Sequence, residues 1–145
     1  DCIAYDRIRD DILADAEEFD VVQVGFDTWN ATHLRTQLMG AGFDVVPFPQ
    51  TFQKFSPVAK AAEVFVNRKV IQHNGDPILA WAISNVVMET DAAANIKPNK
   101  KKSANKIDPA VAFLMALGTC LNENEEFAYS VSEEHQSWLE NFDGI

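Results

Sequence analysis

Several things are scarce in this chain of 145 residues. No apolar run is long enough to cross a bilayer as a helix, and no charged-then-apolar leader precedes the first helical pattern. The expectation is therefore a protein of the reducing cytoplasm, neither secreted nor membrane-bound. There are only two cysteines, Cys2 and Cys120, with no metal-ligand spacing between them, so they read as idle or buried thiols and not as a disulfide. The three histidines fall singly: His73 lies in a turn, and His33 and His135 read as surface positions. No Gly-x-Ser-x-Gly elbow, no Cys and His pair in a strand-turn context and no Gly-x-x-x-x-Gly-Lys-[Ser/Thr] loop is present. Serine or cysteine nucleophilic chemistry and a phosphate-cradling P-loop thus have no support in these residues.

Basic residues are missing from one place in particular. From Leu121 to Ile145 there are seven acids and no Lys or Arg, whereas the whole chain carries a formal −10, so residues 1–120 carry only −3. Within that nearly balanced body, Lys97, Lys100, Lys101, Lys102 and Lys106 crowd into ten residues. Such a run suits phosphate groups, and equally a solvated basic loop. Hydrophobic content of 47% is that of a globular chain able to bury an ordinary core as one domain.

The elements follow from periodicity and punctuation. Residues 1–20 read as a helix, with Tyr5, Ile8, Ile12, Ala16 and Phe19 at three- and four-residue steps. Val21 to Phe26 is rich in β-branched residues, reads as a buried parallel strand, and closes on Asp27. A helix from about Asn30 to Ala41 follows, ended by Gly42, and Phe43 to Phe48 is the next strand, completing a βαβ unit. Ser56-Pro57 and Asp76-Pro77 each present an N-cap residue followed by proline, predicting helix starts. Val86 to Thr90 reads as a strand, with a hairpin turn across Asp91 to Asn95. Asp108-Pro109 opens a helix to about Leu117 in which nearly every residue is apolar, which predicts burial on all sides and places Asp108 against the sheet. One further short helix is expected around Glu133 to Leu139.

Two carboxylates carry the candidate chemistry. Asp27 ends a strand, on the rim where ligands collect in open α/β sheets, and a charge there calls for a partner, a metal or the first amides of the next helix. Asp108 has an equally good structural role as a helix cap, the role that Asp76 fills by the same signal.

Taken together the motifs resemble a known family. Phe26-Asp27-x-Trp29-Asn30-Ala31-Thr32, Phe48-Pro49-Gln50, His73-x-Gly75-x-Pro77-x-Leu79-x-Trp81-x-x-Ser84-Asn85, Lys100-Lys101-x-Ser103 and Lys106-Ile107-Asp108 occur in the order in which they stand in the large terminase subunit of tailed bacteriophages. The resemblance covers about residues 3–118. It implies the carboxy-terminal nuclease domain of a genome-packaging motor: an α/β, ribonuclease H-like sheet flanked by helices, over residues 1–120, with residues 121–145 an acidic tail. The implied activity is divalent-metal-dependent endonucleolytic cutting of concatemeric double-stranded DNA, with two Mg²⁺ or Mn²⁺ ions as cofactors in the intact site.

Of the family's three acids, Asp27 matches the second and Asp108 the third. The first belongs to an opening strand upstream of anything here, so the expectation is a fragment that lacks the first strands of the sheet and the ATPase half and is impaired in activity. Lys106, Lys100, Lys101 and Lys102 would hold DNA phosphates. The implied partners are DNA, the upstream ATPase domain, the small terminase subunit and the portal, in the host cytoplasm. Two other readings stand beside this one: a catalytically silent interaction module, which could dimerise through an exposed sheet edge, and a small doubly wound ligand-binding domain.

Overall fold

The computed structural model describes residues 4–28 and 32–121 and the helical backbone of 122 and 123. The expected helix around Glu133 to Leu139, the motif residues Trp29, Asn30 and Ala31, and Cys2 lie outside the described residues. The chain divides between Pro49 and Gln50 into two compact units.

The first unit is helix, strand, helix, strand: α1 Tyr5–Glu18, β1 Val24–Phe26, α2 Thr32–Gly40 and β2 Val45–Pro47. β1 and β2 pair in parallel, Val24 opposite Val45 and Phe26 opposite Pro47, as the βαβ reading required. The ladder is carried on at both ends by the Val24 amide donating to the Asp44 carbonyl and the Phe48 amide to the Phe26 carbonyl, each at 2.8 Å. Gly42 ends α2 with a φ of +95°, a left-handed conformation that glycine adopts without a Cβ penalty.

Two expectations change here. The strand begins at Val24 and not at Val21, and Val22 is exposed. On α1 no residue is fully buried; the half-buried stripe runs through Tyr5, Arg9, Ile12 and Ala16, while Ile8 and Phe19 face solvent. A stripe one residue wide takes one residue per turn, and Arg9 can lie along it because its apolar stem packs while its guanidinium reaches Asp10 and Asp6.

The second unit packs three helices and a hairpin: α3 Phe52–Asn67, α4 Pro77–Ser84, β3 Met88–Thr90, β4 Ile96–Pro98 and α5 Asp108–Glu123. α3 begins five residues before the predicted Ser56-Pro57 start. Thr51 is the cap, its hydroxyl accepting from the Lys54 amide, and Pro57 sits inside the helix. The proline removes one helical donor on an exposed side, and that loss is outweighed by burial of Phe55, Val58, Ala61, Ala62, Val64 and Phe65 on the other. α4 starts as predicted, with the Leu79 amide donating to Asp76 Oδ1 at 2.7 Å and Pro77 in the first turn. The turn before it is set by His73, whose Nδ1 accepts from the Gly75 amide.

The hairpin also forms as expected. Asp91 Oδ1 accepts from the amides of Ala93 and Asn95, its Oδ2 accepts from the Asn95 side chain, and Ala94 takes a positive φ. These bonds, led by that of the Asn95 side chain, hold the Asp91 carboxyl below the usual carboxylate range.

α5 corrects the reading of its composition twice. It continues through Gly118 to Glu123, because Gly118, Thr119 and Leu121 are buried, and that packing offsets the roughly 1 kcal/mol that glycine costs inside a helix. It is also not buried all round. Ala110, Val111, Leu114, Met115 and Leu121 face inward against α3 and α4, whereas Asp108, Ala112, Ala116 and Cys120 form an exposed stripe at four-residue steps. Alanine scores as apolar in a pattern but exposes little apolar area, so a run of alanines does not imply burial.

Candidate metal and nucleic-acid site

The residues of interest stand in two places. Asp27, in the first unit, follows the last residue of β1 and is half-buried, at the strand's carboxyl end as its sequence position implied. Beside it on the same unit, the Arg35 guanidinium of α2 lies 5.7 Å from the centre of the Phe26 ring, within cation–π reach.

The second unit holds the lysine run and Asp108 on a connection whose backbone is pinned by one residue. Asn99 Oδ1 accepts from the amides of Lys101 (2.8 Å) and Lys102 (3.0 Å), and the Asn99 carbonyl accepts from both the amide and the hydroxyl of Ser103. Ser103 Oγ in turn accepts from the Val87 amide, and the Asn105 side chain donates to that of Asn85. The basic segment is a folded loop tied to the start of β3 and to the end of α4.

Its lysines are not equivalent. Lys97, on β4, is cross-strand partner to Glu89 on β3, with Nζ 3.5 Å from Glu89 Oε1 and 4.7 Å from the centre of the Phe52 ring. Lys102 approaches Glu89 Oε2 at 3.9 Å, and the Asn99 side chain donates to the same oxygen. Lys100 donates to Asp108 Oδ1 at 2.6 Å. Lys101 and Lys106 are exposed. The run thus divides into Lys97 and Lys102 clasping Glu89, Lys100 held by Asp108, and Lys101 and Lys106 facing solvent.

Asp108 does not repeat the role of Asp76. Its side chain is 60% exposed, not pressed against a sheet, and its carboxylate takes the Lys100 ammonium where Asp76 takes a helix amide. The Lys100 hydrogen bond is the main reason its carboxyl lies below the usual carboxylate range. Partial burial opposes that shift, and the charges of Lys100 and Lys106 add to it. Asp108 is therefore an ionised oxygen donor at neutral pH, on a helix start, in a cationic surround.

Glu89 and Asn99 are the residues that motif reading missed. The hairpin itself was the available signal, because a turn centred on Asp91 to Asn95 makes Glu89 and Lys97 cross-strand neighbours.

As donors, Asp27 and Asp108 suit a hard divalent cation, which binds carboxylate oxygen and water. Among the described residues no group of three or more His, Cys, Asp or Glu side chains is placed to hold an ion.

The family model for the terminase large subunit endonuclease domain matches residues 1–125. The chain belongs to this family. The chain is 29% identical over 126 residues to the large terminase subunit of Enterobacteria phage HK97, covering 86% of this chain and 25% of that protein. It is 30% identical over 126 residues to protein YmfN of Escherichia coli K12, covering 86% and 28% respectively. In three dimensions it is similar to the crystal structure of the HK97 large terminase, with a TM-score of 0.72 and 29% identity over 79% of this chain and 24% of that one. The chain spans about a quarter of the length of these relatives. The mixed helix and strand architecture of an α/β nuclease domain is thereby established, in the form of a parallel pair β1–β2 and an antiparallel pair β3–β4 among the described residues. Among those residues, no helix is long and apolar enough to cross a membrane.

Proposed function

We propose that this chain supplies part of a ribonuclease H-like endonuclease site that hydrolyses double-stranded DNA with Mg²⁺ or Mn²⁺, with Asp27 and Asp108 as metal ligands. The observation that carries this reading is Asp108 itself. An aspartate that begins a helix, stays largely exposed and is held ionised by a lysine is available to an ion in a way that a capping aspartate is not.

When bound, the ions supply an activated water for attack on phosphorus and positive charge for the departing oxygen. The chain's own contribution is to fix the donors. β1 carries Asp27 to a strand end, α5 presents Asp108 at its first turn, and the Asn99-centred loop holds the lysines beside Asp108. Lys101 and Lys106, exposed on that loop, are the side chains best placed to meet DNA phosphates, with Lys100 and Lys102 engaged on acids. In this reading residues 1–120 form the nuclease part and 121–145 an acidic tail. The proposed setting is a packaging motor in the host cytoplasm, with DNA, an ATPase domain, a small terminase subunit and the portal as partners.

A second reading, the interaction module, draws on the second unit's surface. Ile78, Trp81 and Ile83 on α4 are exposed by 62%, 46% and 49%, an unusual amount of apolar side chain for one short helix, and the edges of the two-stranded ladders could pair with a second copy.

Incubating supercoiled plasmid with the chain separates the two. Weak nicking in Mn²⁺ that chelation abolishes, and that Asp27→Asn and Asp108→Asn each remove, is the expected result. Nicking that survives both substitutions contradicts the assignment, and metal-independent self-association with no nicking favours the module.

A further inference from the structure

We propose that Lys100 is a resident cation on Asp108 that gives way to the divalent ion and then turns to the DNA backbone, so that metal loading and phosphate binding are linked through one side chain. This inference rests on the reading of Asp108 as a metal ligand.

Three observations carry it. The Lys100 ammonium donates to Asp108 Oδ1 at 2.6 Å, so an ion arriving at that oxygen meets a like charge within hydrogen-bond distance and competes with it. The pair stands in water, the side chains 50% and 60% exposed, and pairs of that kind are weak enough to exchange. Finally, the backbone around Lys100 does not depend on the pair. Asn99 Oδ1 holds the amides of Lys101 and Lys102, and the Asn99 carbonyl holds Ser103, so the Lys100 side chain can swing on its four-carbon stem while the loop stays in place.

The neighbouring lysines stand differently. Lys97 lies 3.5 Å from Glu89, Lys102 approaches the same carboxylate at 3.9 Å, and Lys106 influences Asp108 by charge without a hydrogen bond. Displacement of Lys100 would thus place a further ammonium beside the exposed Lys101 and Lys106 at the moment the ion arrives. Before that, the same ammonium keeps an ionised carboxylate compensated.

The test uses the 145-residue chain and two readouts. Mn²⁺ binding is followed by the loss of the free-ion electron paramagnetic resonance signal for the wild type, Lys100→Met, Lys106→Met and Asp108→Asn. Lys100→Met should bind Mn²⁺ about two- to fivefold more tightly, the range expected on removing an exposed pair. Lys106→Met should change less, and Asp108→Asn should abolish binding. Binding to a labelled duplex is then measured against salt, in Mn²⁺ and in chelator, with the duplex checked intact afterwards. In Mn²⁺ the salt slope of Lys100→Met should be shallower than the wild type's by about 0.9, one phosphate contact, whereas in chelator the two slopes should coincide. Equal Mn²⁺ affinity in wild type and Lys100→Met, or the same slope difference with and without metal, overturns the inference. If Asp108→Asn abolishes Mn²⁺ binding while Lys100→Met leaves it unchanged, only the handover fails. If Asp108→Asn still binds Mn²⁺ as the wild type does, the ligand assignment falls and the handover with it.

Discussion

Asp76-Pro77 and Asp108-Pro109 begin α4 and α5 with the same two residues, yet the two aspartates are used differently. Asp76 spends its carboxylate on the Leu79 amide of its own helix, and Asp108 offers its carboxylate outward to Lys100. The dipeptide fixes where a helix starts, because proline suits the first turn, and leaves the carboxylate's partner to be decided by what stands nearby. At α4 no cationic side chain among the described residues pairs with Asp76, and the Leu79 amide takes the carboxylate. At α5 the Asn99-centred loop brings an ammonium within reach. A cap and a ligand can thus share one sequence signal.

The largest effect expected on this contrast is functional. Asp108→Asn should lower Mn²⁺-dependent nicking by at least about a hundredfold, since loss of a ligand exceeds the 10–100-fold cost of losing a group that merely supports one. Asp76→Asn should leave nicking unchanged in the same plasmid assay. Next comes packing. Leu114→Ala, on the inward face of α5, should destabilise the second unit by about 2–5 kcal/mol in urea unfolding, whereas Ala112→Ser on the exposed stripe should stay within about 0.5 kcal/mol. Equal effects from the two would return α5 to the buried-all-round helix that its composition suggested.

A smaller effect distinguishes the caps. Asp76→Ala should cost about 1 kcal/mol, the usual loss when a capping side chain is removed, without altering Mn²⁺ affinity. The smallest effect is the pH dependence of the Lys100–Asp108 pair. Because the folded-state pKa of Asp108 is lowered, the pair's contribution is complete above the ordinary aspartate value and is lost as the pH falls through the depressed one. Without metal, the stability difference between wild type and Asp108→Asn should therefore be flat around neutrality and shrink only in strong acid. Its amplitude should be small, since the pair is solvent-screened. A difference that changed near pH 6 would place the linkage on another group.

These contrasts also mark what was legible in the sequence. The start of α4, the Gly42 stop and the Asp91 turn are readable because each depends on residues adjacent in the chain, and the parallel pairing of β1 with β2 is readable from the strand, helix, strand order. The start of α3 was misplaced because Ser56-Pro57 imitates a cap, while the true one, Thr51, carries a weaker signal that only its bond to the Lys54 amide reveals. The sequence ends α5 near Leu117, and burial of Gly118, Thr119 and Leu121 carries the helix on to Glu123. For the candidate site, the residue types and positions of Asp27, Asp108 and the lysines were plain. The division of the lysines was not, since Lys97 and Lys102 reach Glu89 across a hairpin and Lys100 reaches forward eight residues to Asp108.

The most direct measurement of the central claim, that Asp108 is a ligand and not a cap, is the anomalous signal from a crystal of this chain grown with Mn²⁺. The account predicts a manganese peak at oxygen distance of roughly 2.0–2.3 Å from the Asp108 carboxylate, with the Lys100 ammonium moved off Oδ1. A carboxylate turned back onto the first amides of α5, with no manganese beside it, would contradict the account.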